Sequence, residues 1–198
     1  MNYNEFEMIM NKLNVSFLAL DLYSDYFSQD FYEESGIYWI IDDSINLLTL
    51  FFRNNDCFIR DEIFDYLPIM GSESNKIANI YDKLQESNRN DYLTQDDFCH
   101  QMDGLISCLD CMGSFKLIFG DNGRFIGFIN DLIETNLDLL ISLTNDKEEI
   151  LYNTINNYKE RDYTKDDFIS IYNELMEEDS DIGNNRFFCK TKGYLQSI

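Results

Sequence analysis

Apolar residues recur along this chain at intervals of three and four, and Pro68 is its only proline. A helix brings a side chain back to the same side every 3.6 residues, so such spacing predicts amphipathic helices that bury one face. In "IIDDSINLLTLFF", residues 40–52, a stripe of Ile41, Ser44, Ile45, Leu48 and Phe52 is widened by Ile40, Leu47 and Phe51, which predicts a largely buried helix. "FCHQMDGLISCLDCM", residues 98–112, repeats the pattern with Phe98, Met102, Leu105, Ile106 and Leu109. "RFIGFINDLIETNLDLLISL", residues 124–143, is a third apolar stretch, and "DDFISIYNELM", residues 166–176, offers Phe168, Ile171, Tyr172, Leu175 and Met176.

Turn-forming phrases separate these segments: "RNND" at 53–56, "MGSESN" at 70–75, "ESNRND" at 86–91, "FGDNG" at 119–123 and "EDSDIGNN" at 178–185. None is long enough for a domain linker. The expected fold is all-α, a single compact bundle of about seven or eight helices spanning 1–198, with 183–198 as a short, less regular tail. At 44% hydrophobic residues, with 16 Phe and 13 Tyr, the chain has ample material for a core.

Charge narrows the partners. Thirty-seven Asp plus Glu against 15 Lys plus Arg give a net charge of -22. Phosphate contacts need basic residues, so direct binding to nucleic acid or to an anionic membrane is not expected, whereas a basic protein partner is. No run approaches the roughly 18 apolar residues of a membrane span, and "MNYNEFEMIMNKL" lacks the basic opening and apolar core of a secretion signal. A cytoplasmic location is therefore expected. Five cysteines, Cys57, Cys99, Cys108, Cys111 and Cys189, form an odd set that suits reduced thiols better than a disulfide framework.

Two acidic phrases resemble each other: "DYLTQDDF" at 91–98 and "DYTKDDF" at 162–168. As calcium loops they fail. With Asp97 as the twelfth residue the loop starts at Glu86, and Asp91 stands where the sixth-position glycine is needed. With Asp167 as the twelfth residue, Tyr158 occupies a ligand position. Thr94-x-x-Asp97 and Thr164-x-x-Asp167 read instead as capping boxes, the start signals of two helices. The similar lead-ins "YDKLQESNRNDY" and "YNTINNYKERDY" leave an old duplication open.

Other motifs point to structure before chemistry. Cys108-x-x-Cys111 with Cys99 and His100 suggests zinc, but on one helix Cys99 and Cys108 lie about 13 Å apart along the axis and on nearly opposite sides. Two buried structural thiols are the expectation. His100 is the only histidine, expected to be exposed or partly packed, and Asp97-x-x-His100 is a single copy of a pair that di-metal bundles need twice. "FGDNGRFIG" lacks the spacing of a phosphate loop. The adjacent pairs Asp42–Asp43, Asp96–Asp97 and Asp166–Asp167 point about 100° apart on a helix and are expected as solvated faces and caps. No metal or other cofactor is expected.

The acids are unevenly spread. Before Arg53 the only basic residue is Lys12, against Glu5, Glu7, Asp21, Asp25, Asp30, Glu33, Glu34, Asp42 and Asp43. A second concentration lies in "NELMEEDSD", with Glu174, Glu177, Glu178, Asp179 and Asp181 as the candidate partner-binding residues.

Across roughly residues 3–145, the layout of "FEMIMNKL", "FLALDLYSDYF" leading to "YEESG", "IDDSINLLTLFF", "DDFCHQMDGLISCLDCM" and a helix starting near "NGRFIG" resembles the bacterial family called domain of unknown function 416. That resemblance implies a helical fold and no assigned activity.

The leading functional expectation is a non-enzymatic acidic binding protein that neutralises a basic partner, such as an immunity protein against a toxin or nuclease, or a viral or phage inhibitor that mimics nucleic acid. The alternatives are a metal-dependent enzyme using helix-borne carboxylates and a structural subunit of a larger complex.

Overall fold

The computed structural model describes residues 1–23, 36–54, 56–68, 74–86, 89–120, 123–144, 147–158 and 162–176. The expected tail at 183–198 lies outside them. The described residues form eight helices and no strand: α1 (Tyr3–Tyr23), α2 (Ile37–Phe51), α3 (Cys57–Tyr66), α4 (Ser74–Gln85), α5 (Gln95–Phe119), α6 (Arg124–Leu143), α7 (Glu148–Asn156) and α8 (Lys165–Met176).

The centre of the bundle is α6, which buries Phe125, Ile126, Ile129, Leu132, Ile133, Leu137, Leu139 and Leu140. It packs mainly against α2 and α1, and α2 is shared between α6 and α5. The stripe expected on α2 is in place: Ile41, Ser44, Ile45 and Leu48 are buried, as are Ile40 and Leu47, and Phe52 packs at the edge. Ser44 donates to the carbonyl of Ile40 at 2.7 Å and accepts from the Asn136 amide at 3.5 Å, so a buried polar link joins α2 to α6.

Both acidic phrases start helices as capping boxes. The Thr94 amide donates to Asp97 Oδ2 and the Asp97 amide returns a bond to Thr94 Oγ1, each at 3.2 Å. At the other phrase the corresponding distances are 2.9 and 3.3 Å between Thr164 and Asp167. The two helices that they open also meet: Lys165 Nζ lies 2.9 Å from Asp96 Oδ1, and the Tyr172 hydroxyl donates to the Leu93 carbonyl at 2.8 Å. The phenylalanine ending each phrase, Phe98 or Phe168, is fully buried.

Helix α5 is longer than the apolar pattern of 98–112 indicates. The box at Thr94 starts it at Gln95, three residues before Phe98, and it runs on until Gly120, whose φ of 81° ends it. Its last turns still bury Phe115 and pack Phe119 on Phe125, while Leu117 and Ile118 face outward into solvent. No helix is long and apolar enough to cross a membrane among the described residues.

Candidate functional site

The chemistry-bearing side chains converge where α2 crosses α5. Gly36 precedes α2 in the left-handed region at φ 67°, and a Cβ there would stand 2.7 Å from the Gly104 carbonyl oxygen. A Cβ on Gly104 would in turn meet Asp43 Oδ2 at 3.1 Å and Trp39 Cβ at 3.7 Å. Glycine at both positions is what lets the two backbones approach this closely.

That approach covers Asp43, and here the expectation of a solvated carboxylate pair is corrected. Asp42 stays partly exposed and bonds Arg60 at 2.8 Å, but the Asp43 side chain is only 4% exposed. The physical reason is its place on the helix. Asp43 lies between Ile40 and Leu47, three residues before and four after, on the side of α2 that α5 covers. Its Oδ2 meets no hydrogen-bond partner among the described residues, and its Oδ1 lies 3.8 Å from His100 Nε2. Loss of hydration pushes the Asp43 carboxyl up to about 7. Asp42 and Asp97 push the same way, and Arg60 opposes them.

His100 is 59% exposed and sets its ring edge-to-face with Trp39, centroids 5.9 Å apart. Trp39, the only tryptophan of the chain, is itself 47% exposed. Trp39 and Asp43 are four residues apart on α2, and His100 and Gly104 four apart on α5, so each pair occupies adjacent turns on one side of its helix. Between them they form a closed notch in which an exposed indole and an exposed imidazole stand beside a carboxyl whose Oδ2 is sealed from solvent against Gly104. His100 is exposed, as expected, with Asp43 and Trp39 beside it.

The solvent side of α5 carries exposed Asp96, Asp103 and Asp110 at intervals of seven residues, about 10.5 Å of rise each. Asp96 is paired with Lys165, whereas Asp103 and Asp110 have no salt bridge among the described residues. The Asp103 carboxyl is shifted upward by partial burial against the lowering pull of His100 and Lys165.

Of the five candidate partner-binding acids, Glu174 is the one that lies among the described residues. Glu174 is exposed near the end of α8, its backbone carbonyl accepting from Lys147 Nζ at 2.8 Å. Glu177, Glu178, Asp179 and Asp181 lie outside the described residues, as do Asp25, Asp30, Glu33 and Glu34. Glu5 is spent on its own helix, where it exchanges bonds with Asn2, and Glu7 accepts from Tyr3.

Cys99 and Cys108 are both buried on different sides of α5: Cys99 Sγ approaches the Lys165 carbonyl at 4.0 Å, while Cys108 lies against Gly36. Burial raises the pKa of both thiols, which keeps them protonated and inert. Cys111 is half-buried rather than fully so. Among the described residues no three His, Cys, Asp or Glu side chains are grouped to hold a metal ion. An open groove of about 470 Å³ between α1 and α6 sets Lys12 among Glu7, Asp131 and the apolar Met8, Val15 and Phe128, with no convergent reactive group.

No family model, curated protein or solved structure matches this chain.

Proposed function

We propose that this is an acidic binding protein that covers the cationic surface of a basic protein partner, in the manner of an immunity protein or of an inhibitor standing in for nucleic acid. The observation carrying this reading is the face of α5. Asp103 and Asp110 project from it without a salt bridge among the described residues, and the exposed Trp39 adjoins it through His100. Partner surfaces commonly place a large aromatic anchor inside a ring of polar groups, with charge complementarity speeding the encounter. A net charge of -22 on a folded bundle favours such an encounter with any strongly basic surface.

The C-terminal acids Glu174, Glu177, Glu178, Asp179 and Asp181 belong to the same reading as a second contact zone. The test uses columns carrying the protein or its Asp103→Asn/Asp110→Asn variant, challenged with host extract at about 0.15 M and 0.5 M salt, where the screening length falls well below 8 Å. A basic protein held by the native chain at the lower salt, released at the higher and not held by the variant supports the proposal. A partner of neutral or acidic charge, held equally by both chains, overturns it.

A further inference from the structure

The notch between α2 and α5 has features that a general acidic surface does not require. Asp43 is buried to 4% exposure, yet its Oδ2 has no hydrogen-bond partner among the described residues. A buried polar atom left unpaired is costly, and natural chains keep such groups at sites that complete their bonding with something else. The next residue of α5 after His100, Gln101, is also buried with both amide atoms unpartnered among the described residues. Covering Asp43 with an apolar side chain would have been simple chemistry, since its helical neighbours Ile40 and Leu47 are already apolar.

What the notch lacks is a cation. Its wall is the half-exposed indole of Trp39 and its floor is the Asp43 carboxyl, which burial raises to about 7, with Asp42 and Asp97 adding to the rise. Nearby Arg60 is committed to Asp42 at 2.8 Å. His100 stands between Asp43 and solvent, but its Nε2 is 3.8 Å from Asp43 Oδ1, beyond a hydrogen bond, and its ring is more than half exposed. An exposed side chain of this kind changes rotamer within nanoseconds, so the mouth of the notch opens without loss of a strong bond.

We propose that this notch receives the guanidinium of one arginine side chain from the basic partner. Arginine satisfies the site in ways that lysine does not. Its planar fork donates to both oxygens of a carboxylate while its face stacks on an indole, and it is more weakly hydrated than an ammonium. The positive charge would restore the ionised form of Asp43 and supply the donor that Oδ2 lacks. This inference rests on the basic-partner reading above and names the group by which that partner is anchored.

The test titrates the native chain with a nona-arginine peptide and with a nona-lysine peptide at about 0.15 M salt, read by calorimetry and by the fluorescence of Trp39, the single tryptophan. The nona-arginine peptide is expected to bind about tenfold more tightly, the factor given by ~1.4 kcal/mol of added bonding. Asp43→Asn and Trp39→Phe are each expected to bring the two peptides to equal affinity while leaving the salt-dependent attraction in place. Asp103→Asn/Asp110→Asn is expected to weaken both peptides alike and keep their ratio.

Equal binding of the two peptides to the native chain, or an arginine preference retained by Asp43→Asn, overturns the notch while leaving the basic-partner reading intact. Binding of neither peptide overturns both. Retained helical content in each variant, measured alongside, keeps a folding defect from imitating the loss.

Discussion

Replacing Asp43 with Asn should make the protein more stable, and by an amount that depends on pH. The carboxyl is raised from 3.8 to about 7 by burial and by Asp42 and Asp97, against Arg60. Between those values the folded chain holds a proton that the unfolded chain has released, so folding stability falls as pH rises through that window and levels off above it. At 1.36 kcal/mol per tenfold, the loss from this one group reaches about 2 kcal/mol at pH 5.5 and about 4 kcal/mol at pH 8.5. Asn has no such proton. Its advantage over the native chain should therefore grow by about 2 kcal/mol between pH 5.5 and 8.5, or roughly 4–8 °C in Tm for a chain of this size. Urea unfolding of both chains at the two pH values, followed by Trp39 fluorescence, measures it, and taking the difference between chains removes the general effect of their shared charge. A variant equally or less stable at pH 8.5, or a difference that does not change with pH, would refute the account of Asp43 as a buried, unpaired carboxylate. Greater stability together with weaker arginine binding would mark Asp43 as a group kept for function at the expense of the fold.

Other expectations follow from the same geometry. Thr94→Ala and Thr164→Ala should each cost about 1 kcal/mol by loss of a helix cap, as read in urea unfolding, and millimolar calcium should leave the Tm of the native chain unmoved. Gly36→Ala should cost roughly 1–3 kcal/mol because it places a Cβ at φ 67° against the Gly104 carbonyl; a neutral result in thermal unfolding would contradict the close crossing of α2 and α5. Truncating Leu132 to Ala in the middle of α6 should cost about 2–5 kcal/mol, a core cavity's usual effect.

The sequence shows the helices because each buried face repeats at the helical period, and it shows two helix starts because Thr-x-x-Asp is chemically self-contained. α6 runs over the same residues, 124–143, as the apolar stretch. The notch was harder to read, since it depends on which helices cross and where. Asp43 next to Asp42 has the look of a polar face, yet Ile40 and Leu47 bracket it at helical spacing and were the signal that this side is covered. Gly104 sits inside the apolar pattern of 98–112, and only the crossing makes it a place of close approach. His100 and Asp43 are 57 positions apart, so only tertiary packing brings them within 3.8 Å.

The salt dependence of partner binding tests the central claim most directly. The affinity of the captured partner for the native chain and for Asp103→Asn/Asp110→Asn would be measured from about 0.05 to 0.5 M salt, a range over which the screening length falls severalfold. The account predicts a steep loss of affinity with salt for the native chain and a clearly shallower one for the variant. Identical slopes for the two chains would contradict it and remove the α5 face from the interface.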